Sequence, residues 1–478
     1  MEKQKMPRWE MVLFAAGDLF GGGGQSMLSV LYLIFLTNVL RIGPAWAGAV
    51  VFVSKAWDAI SDPMMGIFSD NTRTKIGRRR PYLIAGGFLI IAAMALVWLP
   101  VNFASTGWKV AFAMAAYVFY NTVSTVIAVP YSSMSTEVTE DFAKCNRVNL
   151  LRLVFSLTAT ALCTLLPSEL YNAYQAGTLS LHSFYLTLVL GFGLAFAVPL
   201  ILIGLLVKER VPYEDKRSAF SIGTFIMPFR VRAFRQLLTL YLCQAVTLDM
   251  VSAVILYYAS YAVAGVSSTV FLGTFLGVQL LLFPLINSLV NKVGKTKIYR
   301  FGLPLSIASS IFIAFYPAGW PAFYVYAFAL LTALGFAGAQ TMCWIIFPDV
   351  VDIGEMGLHQ RSTGSFSGVM TFVRKISSAL AIFVIGNVLS LTGYIAPSGA
   401  GDMPAQPGSA VLGIRLFMFL PFLFLMGYAW FAAKKFRLTP GVSQSVKRIN
   451  QRLRADGPEG LTGEERAEYE ALKKEFVS

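Results

Sequence analysis

About twelve apolar runs of roughly twenty residues, divided by short polar connections, organise this sequence of 478 residues. Each run is long enough to cross a hydrocarbon core ~30 Å thick. A segment in lipid must satisfy its own backbone hydrogen bonds, so each run is expected to be a helix. The fold class that follows is an all-α polytopic membrane protein. The composition agrees: 56% of residues are hydrophobic and 13% charged, which excludes a soluble chain of two or three domains.

The runs lie near 11–38, 45–68, 82–103, 108–134, 149–170 and 184–208, then near 234–263, 268–290, 301–317, 321–347, 364–393 and 411–434. Six spans, a long basic connection and six more predict two six-helix bundles, 1–208 and 234–434, around a middle loop 209–233. The soluble tail 435–478 carries a short amphipathic helix: Thr462 and Glu465 form a capping box, and Leu461, Tyr469, Leu472 and Phe476 favour one face.

The 39 Lys and Arg residues, which give a net charge of +14, collect in alternate connections. The second span is followed by "DNTRTKIGRRRPY", whereas the opposite set holds only Arg41, Lys109 and Arg415. By the positive-inside rule both termini are cytoplasmic, and the basic charge faces the inner surface of a cell membrane; it is not a nucleic-acid footprint. "MEKQKMPRWEMVLFAAGDLFGGGG" runs directly into the first span, without a cleavable signal. Cys145, Cys163, Cys243 and Cys343 are dispersed, and His182 and His359 are too few for a metal site. No nucleotide loop or nucleophile–base pair is evident, so an enzyme is not expected.

"KAWDAISDPMMG" places Lys55, Asp58 and Asp62 at i, i+3 and i+7 in an apolar run, near one helix face, with Ser61 adjacent. Each charge at mid-membrane costs roughly 2.5–3.5 kcal/mol even on a lenient scale. Three arrangements relieve two carboxylates one turn apart: a proton on one, a cation between them, or a basic partner. Carboxylate and hydroxyl oxygens suit a hard cation, so Na⁺ or H⁺, with Li⁺ as a substitute, is the expected coupling ion; no other cofactor is expected. Arg374 and Lys375, roughly 15 Å into the eleventh span, supply further positive charge, and Lys375 can balance the surplus aspartate.

Other polar residues in the spans are weaker candidates for a substrate pocket: Asp18 before "GGGG", which would loosen the helix or admit a ligand closely, Gln25, Asn121, Asp249 and Gln340. Tyr32, Tyr131 and Trp344 are candidates to stack on a sugar ring.

"WDAISDPMMGIFSDNTRTKIGRRRPYLIAGG", "AVPYSSMSTEVTEDFAKCNRVNLLR" and "FPDVVDIGEMGLHQRSTGSFSG" with "RKISSALA" resemble the glycoside–pentoside–hexuronide:cation symporters, over nearly the whole chain. The resemblance implies the major facilitator fold, alternating access, and a monomer that carries a small sugar with a monovalent cation. It assigns the cation to Asp58, Ser61, Asp62 and Thr125, coupling charge to Lys55 and Lys375, and sugar contacts to Arg152 and Thr371. Galactoside-carrying members place acids at the positions of Gly22, or a neighbouring glycine, and Ala128; their loss here removes negative charge near Arg152, Arg374 and Lys375 and directs attention to a hexuronide. A lysolipid symporter of the same fold and a non-transporting sugar sensor are the alternatives.

Overall fold

The computed structural model describes residues 6–135, 137–139, 141–210, 223, 226–263, 265–293, 295–317, 320–358, 363–399, 401–436, 438, 440–456 and 461–477. His359 and most of the middle loop lie outside these residues.

Twelve helical segments correspond in order to the expected spans: α1 (Arg8–Val39), α2 (Pro44–Asn71), α3 (Arg80–Val97), α4 (Thr106–Met134), α5 (Phe142–Gln175), α6 (Leu181–Leu206), α7 (Arg232–Ala262), α8 (Ser268–Val293), α9 (Lys295–Ala314), α10 (Phe323–Leu358), α11 (Thr363–Leu391) and α12 (Gly408–Lys435). Among the described residues, nine helices are long and apolar enough on their own to cross a membrane. Two helices, α13 (Pro440–Asp456) and α14 (Gly463–Phe476), form the tail.

The ends differ from expectation where proline misleads. The third span stops at Val97, ahead of Pro100, and does not reach 103. The tenth continues through Pro348 to Leu358, well past 347. A proline inside a membrane helix is tolerated where neighbouring groups re-satisfy the freed backbone, and α2, α4, α5, α6 and α9 also contain one.

The chain forms two compact units. The first comprises 1–220, 252–273 and 379–414; the second comprises 221–251, 274–378 and 415–478. In the first, α1 packs on α5, α2 on α4, and α3 on α4 and α6. Absent side chains set these approaches: a Cβ at Gly22 would lie 2.3 Å from the Ser156 carbonyl oxygen, and one at Gly23 2.6 Å from Cys163 Sγ. The "GGGG" stretch therefore stays helical within α1 and admits neighbouring helices, where loosening was expected. In the second unit, Gly302 of α9 and Gly335 of α10 meet backbone to backbone, with Gly335 O 2.5 Å from a Cβ placed on Gly302.

The tail docks on α10 within the second unit. Ser443 Oγ donates to Asp349 Oδ2 (3.1 Å), and Asn450 Nδ2 donates to the Asp352 carbonyl (2.8 Å). Thr462 and Glu465 form the expected capping box, and Tyr469, Leu472 and Phe476 are buried.

Candidate functional site

Two side chains fix the register of α4 on α2. Asn121 Nδ2 donates to the Ser54 carbonyl (2.8 Å). One turn further along both helices, Thr125 reaches Asp58. Asn121, expected to face substrate, is 1% exposed and spends its amide on this contact.

Thr125 Oγ1 lies 2.9 Å from Asp58 Oδ1 and 2.9 Å from Asp62 Oδ1. Ser61 Oγ is 3.1 Å from Thr125 Oγ1 and donates to the Asp58 carbonyl (3.1 Å). A threonine hydroxyl carries one proton and satisfies one carboxylate at a time. The second contact is relieved by a proton on a carboxyl, a cation drawn to the same oxygens, or a basic side chain. The four expected cation-site residues thus meet at one point, with Asp58, Ser61 and Thr125 buried and Asp62 half-buried. Lys55 is buried one turn before Asp58 on the same helix.

A second cluster lies in the same unit. Asp18 Oδ2 accepts from Arg152 Nε (2.6 Å) and from Tyr131 Oη (3.0 Å). Tyr131 also contacts the Phe14 carbonyl oxygen at 2.6 Å, and the Arg152 guanidinium lies 4.6 Å from the Tyr131 ring centroid. Ala128 and Gln25 are half-buried. Gly22 is closed in by Ser156, so an acidic side chain has no room there. Gly22→Asp is expected to lower the melting temperature of the purified protein, by the ~1–3 kcal/mol typical of overpacking, and to confer no galactoside binding in a titration. Tyr32, a proposed sugar platform, is 1% exposed among Tyr117, Trp98 and Phe35 and offers no open ring face.

In the second unit Asp249 Oδ1 pairs with Arg374 Nη2 (3.3 Å). Tyr241 meets Trp344 edge-on, with ring centroids 5.7 Å apart. Gln244 and Gln340 lie one turn from these aromatics on α7 and α10. Gln244 Oε1, Gln340 Oε1 and Asp249 Oδ2 are buried acceptors without a protein hydrogen-bond donor among the described residues. Such acceptors are costly unless a donor reaches them, and sugar hydroxyls are donors. Thr371 is exposed, and Lys375, beside Arg374, is half-buried.

The MFS/sugar transport protein family matches residues 13–439. The chain belongs to this family. Among curated proteins, the chain is similar to a glucuronide carrier protein homolog of Escherichia coli, 24% identical over 94% of this chain and 98% of its own. A putative sulfoquinovose importer of Salmonella typhimurium is 26% identical over 87% and 86%. An uncharacterized symporter of Synechocystis is 25% identical over 89% and 94%. Among solved structures, a bacterial homologue of the lysosomal transporter Spinster superposes with a TM-score of 0.62 over 90% of this chain and 98% of its own, at 14% identity. The expected fold class and the resemblance to sugar:cation symporters are borne out, and this member of the sugar-transport family is a multi-pass transporter, not an enzyme.

Two polar groupings of this transporter escaped the sequence reading. The loop after α2 is tied down by acids: Glu137 pairs with Arg78 and Arg79, and Glu209 accepts from the backbone N–H groups of Arg78, Arg79 and Arg80 at 2.8–3.2 Å, capping α3. At the other end of the first unit, Asn38 Nδ2 donates to Tyr171 Oη (2.8 Å) and Tyr261 Oη (3.3 Å), while Asn38 Oδ1 accepts from Tyr394 Oη (2.8 Å). Thr37 Oγ1 lies 2.7 Å from Tyr257 Oη. Thr37, Asn38 and Tyr261 all sit in π-helical turns closing α1 and α7. Matching π turns at the ends of the first and seventh spans were the available signal, but no sequence rule marks them.

Proposed function

We propose that this protein is a cation-coupled symporter that brings a sugar of the hexuronide class into the cell across the cytoplasmic membrane, with both termini inside. The observation that carries the coupling is the double contact of Thr125 Oγ1 with Asp58 and Asp62, both at 2.9 Å. Na⁺ or H⁺ bound there removes the carboxylate repulsion, and Lys55 completes the local charge balance.

An acidic sugar is supported by Arg152. Asp18 engages its Nε, and the Nη groups, which lie against Tyr131, are the donors that a sugar carboxylate would meet. Taken by itself, the second unit offers an Arg–Asp pair of the same chemistry, Asp249–Arg374. A relative named for a glucuronide supports the same class. Cation and sugar raise each other's affinity by one common factor.

The test is uptake of a labelled glucuronide into proteoliposomes under an imposed Na⁺ or proton gradient. Stimulation by one gradient is expected. Active protein that responds to neither gradient, across a panel of sugars, would overturn the coupling.

A further inference from the structure

A basic cavity in the second unit is lined by none of the residues assigned above. It has a volume of about 300 Å³ and sits between the first turns of α7 and the last turn of α12. Arg232, Arg235 and Lys435 line it, with Gln236 and Thr239 as further polar groups. No carboxylate is among its lining residues. The Phe229 carbonyl accepts from Arg235 Nη1 (2.7 Å), which fixes that guanidinium at the rim.

The second half of the feature is apolar. Phe424, Tyr428 and Phe431 recur at i, i+4 and i+7 on α12 and are 65%, 59% and 61% exposed. Tyr428 and Phe431 also line the cavity, so the aromatic row runs from it along the span. Lys434 Nζ lies 3.2 Å from the Trp430 ring centroid, a cation held on an aromatic ring at the helix end. Three cations at the ends of two membrane helices, leading into an exposed aromatic track, match one ligand in both charge and shape.

We propose that this cavity binds the phosphodiester headgroup of an anionic phospholipid, with an acyl chain along Phe424, Tyr428 and Phe431. Arg232 and Arg235 hold the phosphate oxygens, Lys435 adds charge, and Gln236 and Thr239 meet glycerol hydroxyls. Basic pockets between membrane helices at a charged membrane face are suited to such headgroups. The site is independent of which sugar is carried.

Delipidated full-length protein in detergent is titrated with phosphatidylglycerol or with phosphatidylcholine of the same chains, and retained lipid is counted by native mass spectrometry. Wild type is expected to retain phosphatidylglycerol selectively. The variant R232Q/R235Q/K435Q should lose about fivefold in affinity for each basic residue removed. K447Q/R466Q, which removes the same kind of charge from the tail, should retain the lipid. Phe431→Ser keeps every charge and should weaken phosphatidylglycerol while leaving glycerol phosphate binding unchanged; it carries the test if the triple variant does not fold. Equal retention of both lipids, unchanged retention in the folded triple variant, or full displacement by inorganic phosphate with no effect of Phe431→Ser would overturn the proposal.

Discussion

Asp58→Asn is expected to abolish gradient-driven accumulation while sugar exchange across the membrane continues. The amide is close in size to the carboxylate and can still accept from Thr125, so the α2–α4 contact survives. The lost quantity is the charge that draws a cation to the point shared by Asp58, Asp62, Ser61 and Thr125. Coupling energies of ~1–3 kcal/mol correspond to a five- to 150-fold mutual effect on affinity. Removing one carboxylate should bring that factor close to one. Accumulation ratio and counterflow, measured on the same vesicles, separate the two functions. Unchanged accumulation in both Asp58→Asn and Asp62→Asn would reject the cation assignment.

Arg152→Gln is expected to have the second large effect, with two components. The change strands Asp18, which is 8% exposed, beside Tyr131 with its main partner gone. Breaking a buried ion pair from one side costs ~3–5 kcal/mol, and with the Arg152 side chain 19% exposed the lower end applies. The melting temperature should fall. Hexuronide affinity should also fall, by about a hundredfold or more, because the Nη donors that a carboxylate would meet are gone. A second substitution separates the components. Asp18→Asn with Arg152→Gln removes the stranded charge and should recover most of the melting temperature, but hexuronide binding should stay lost. Recovery of binding in the double variant would show that Arg152 serves packing alone.

The spans were legible because membrane crossing imposes one length and one polarity on every helix. Asp58, Asp62 and Ser61 were legible because their spacing defines a helix face within a single stretch, and Thr125 entered through a family resemblance. The Arg152–Asp18 and Arg374–Asp249 pairs were not legible as pairs. Each residue was singled out alone, yet the partners lie 134 and 125 positions apart, and only packing joins them. "GGGG" suggests a loosened helix or the close approach of a ligand, and a glycine run equally marks the place where another helix comes close. Tyr32 shows the same ambiguity for aromatics: a ring that could face a sugar filled the core instead.

The Asn38 cluster has a consequence for how the first unit changes shape. It joins α1, α5, α7 and the segment just after α11 through hydroxyl and amide groups, each of which water can replace. Such a hydrogen bond contributes only about 0.5–1.5 kcal/mol net, because its partners are re-solvated when it breaks. A seam closed by interlocking aliphatic side chains would resist parting in proportion to the oily area laid bare. In this one the phenol–amide contacts can be exchanged for phenol–water contacts, and the resistance to parting comes from the edge-on rings of Tyr257, Tyr261 and Tyr394. A ligand shifts such an equilibrium only by its difference in affinity for the two forms, and here that difference has to outweigh the ring contacts.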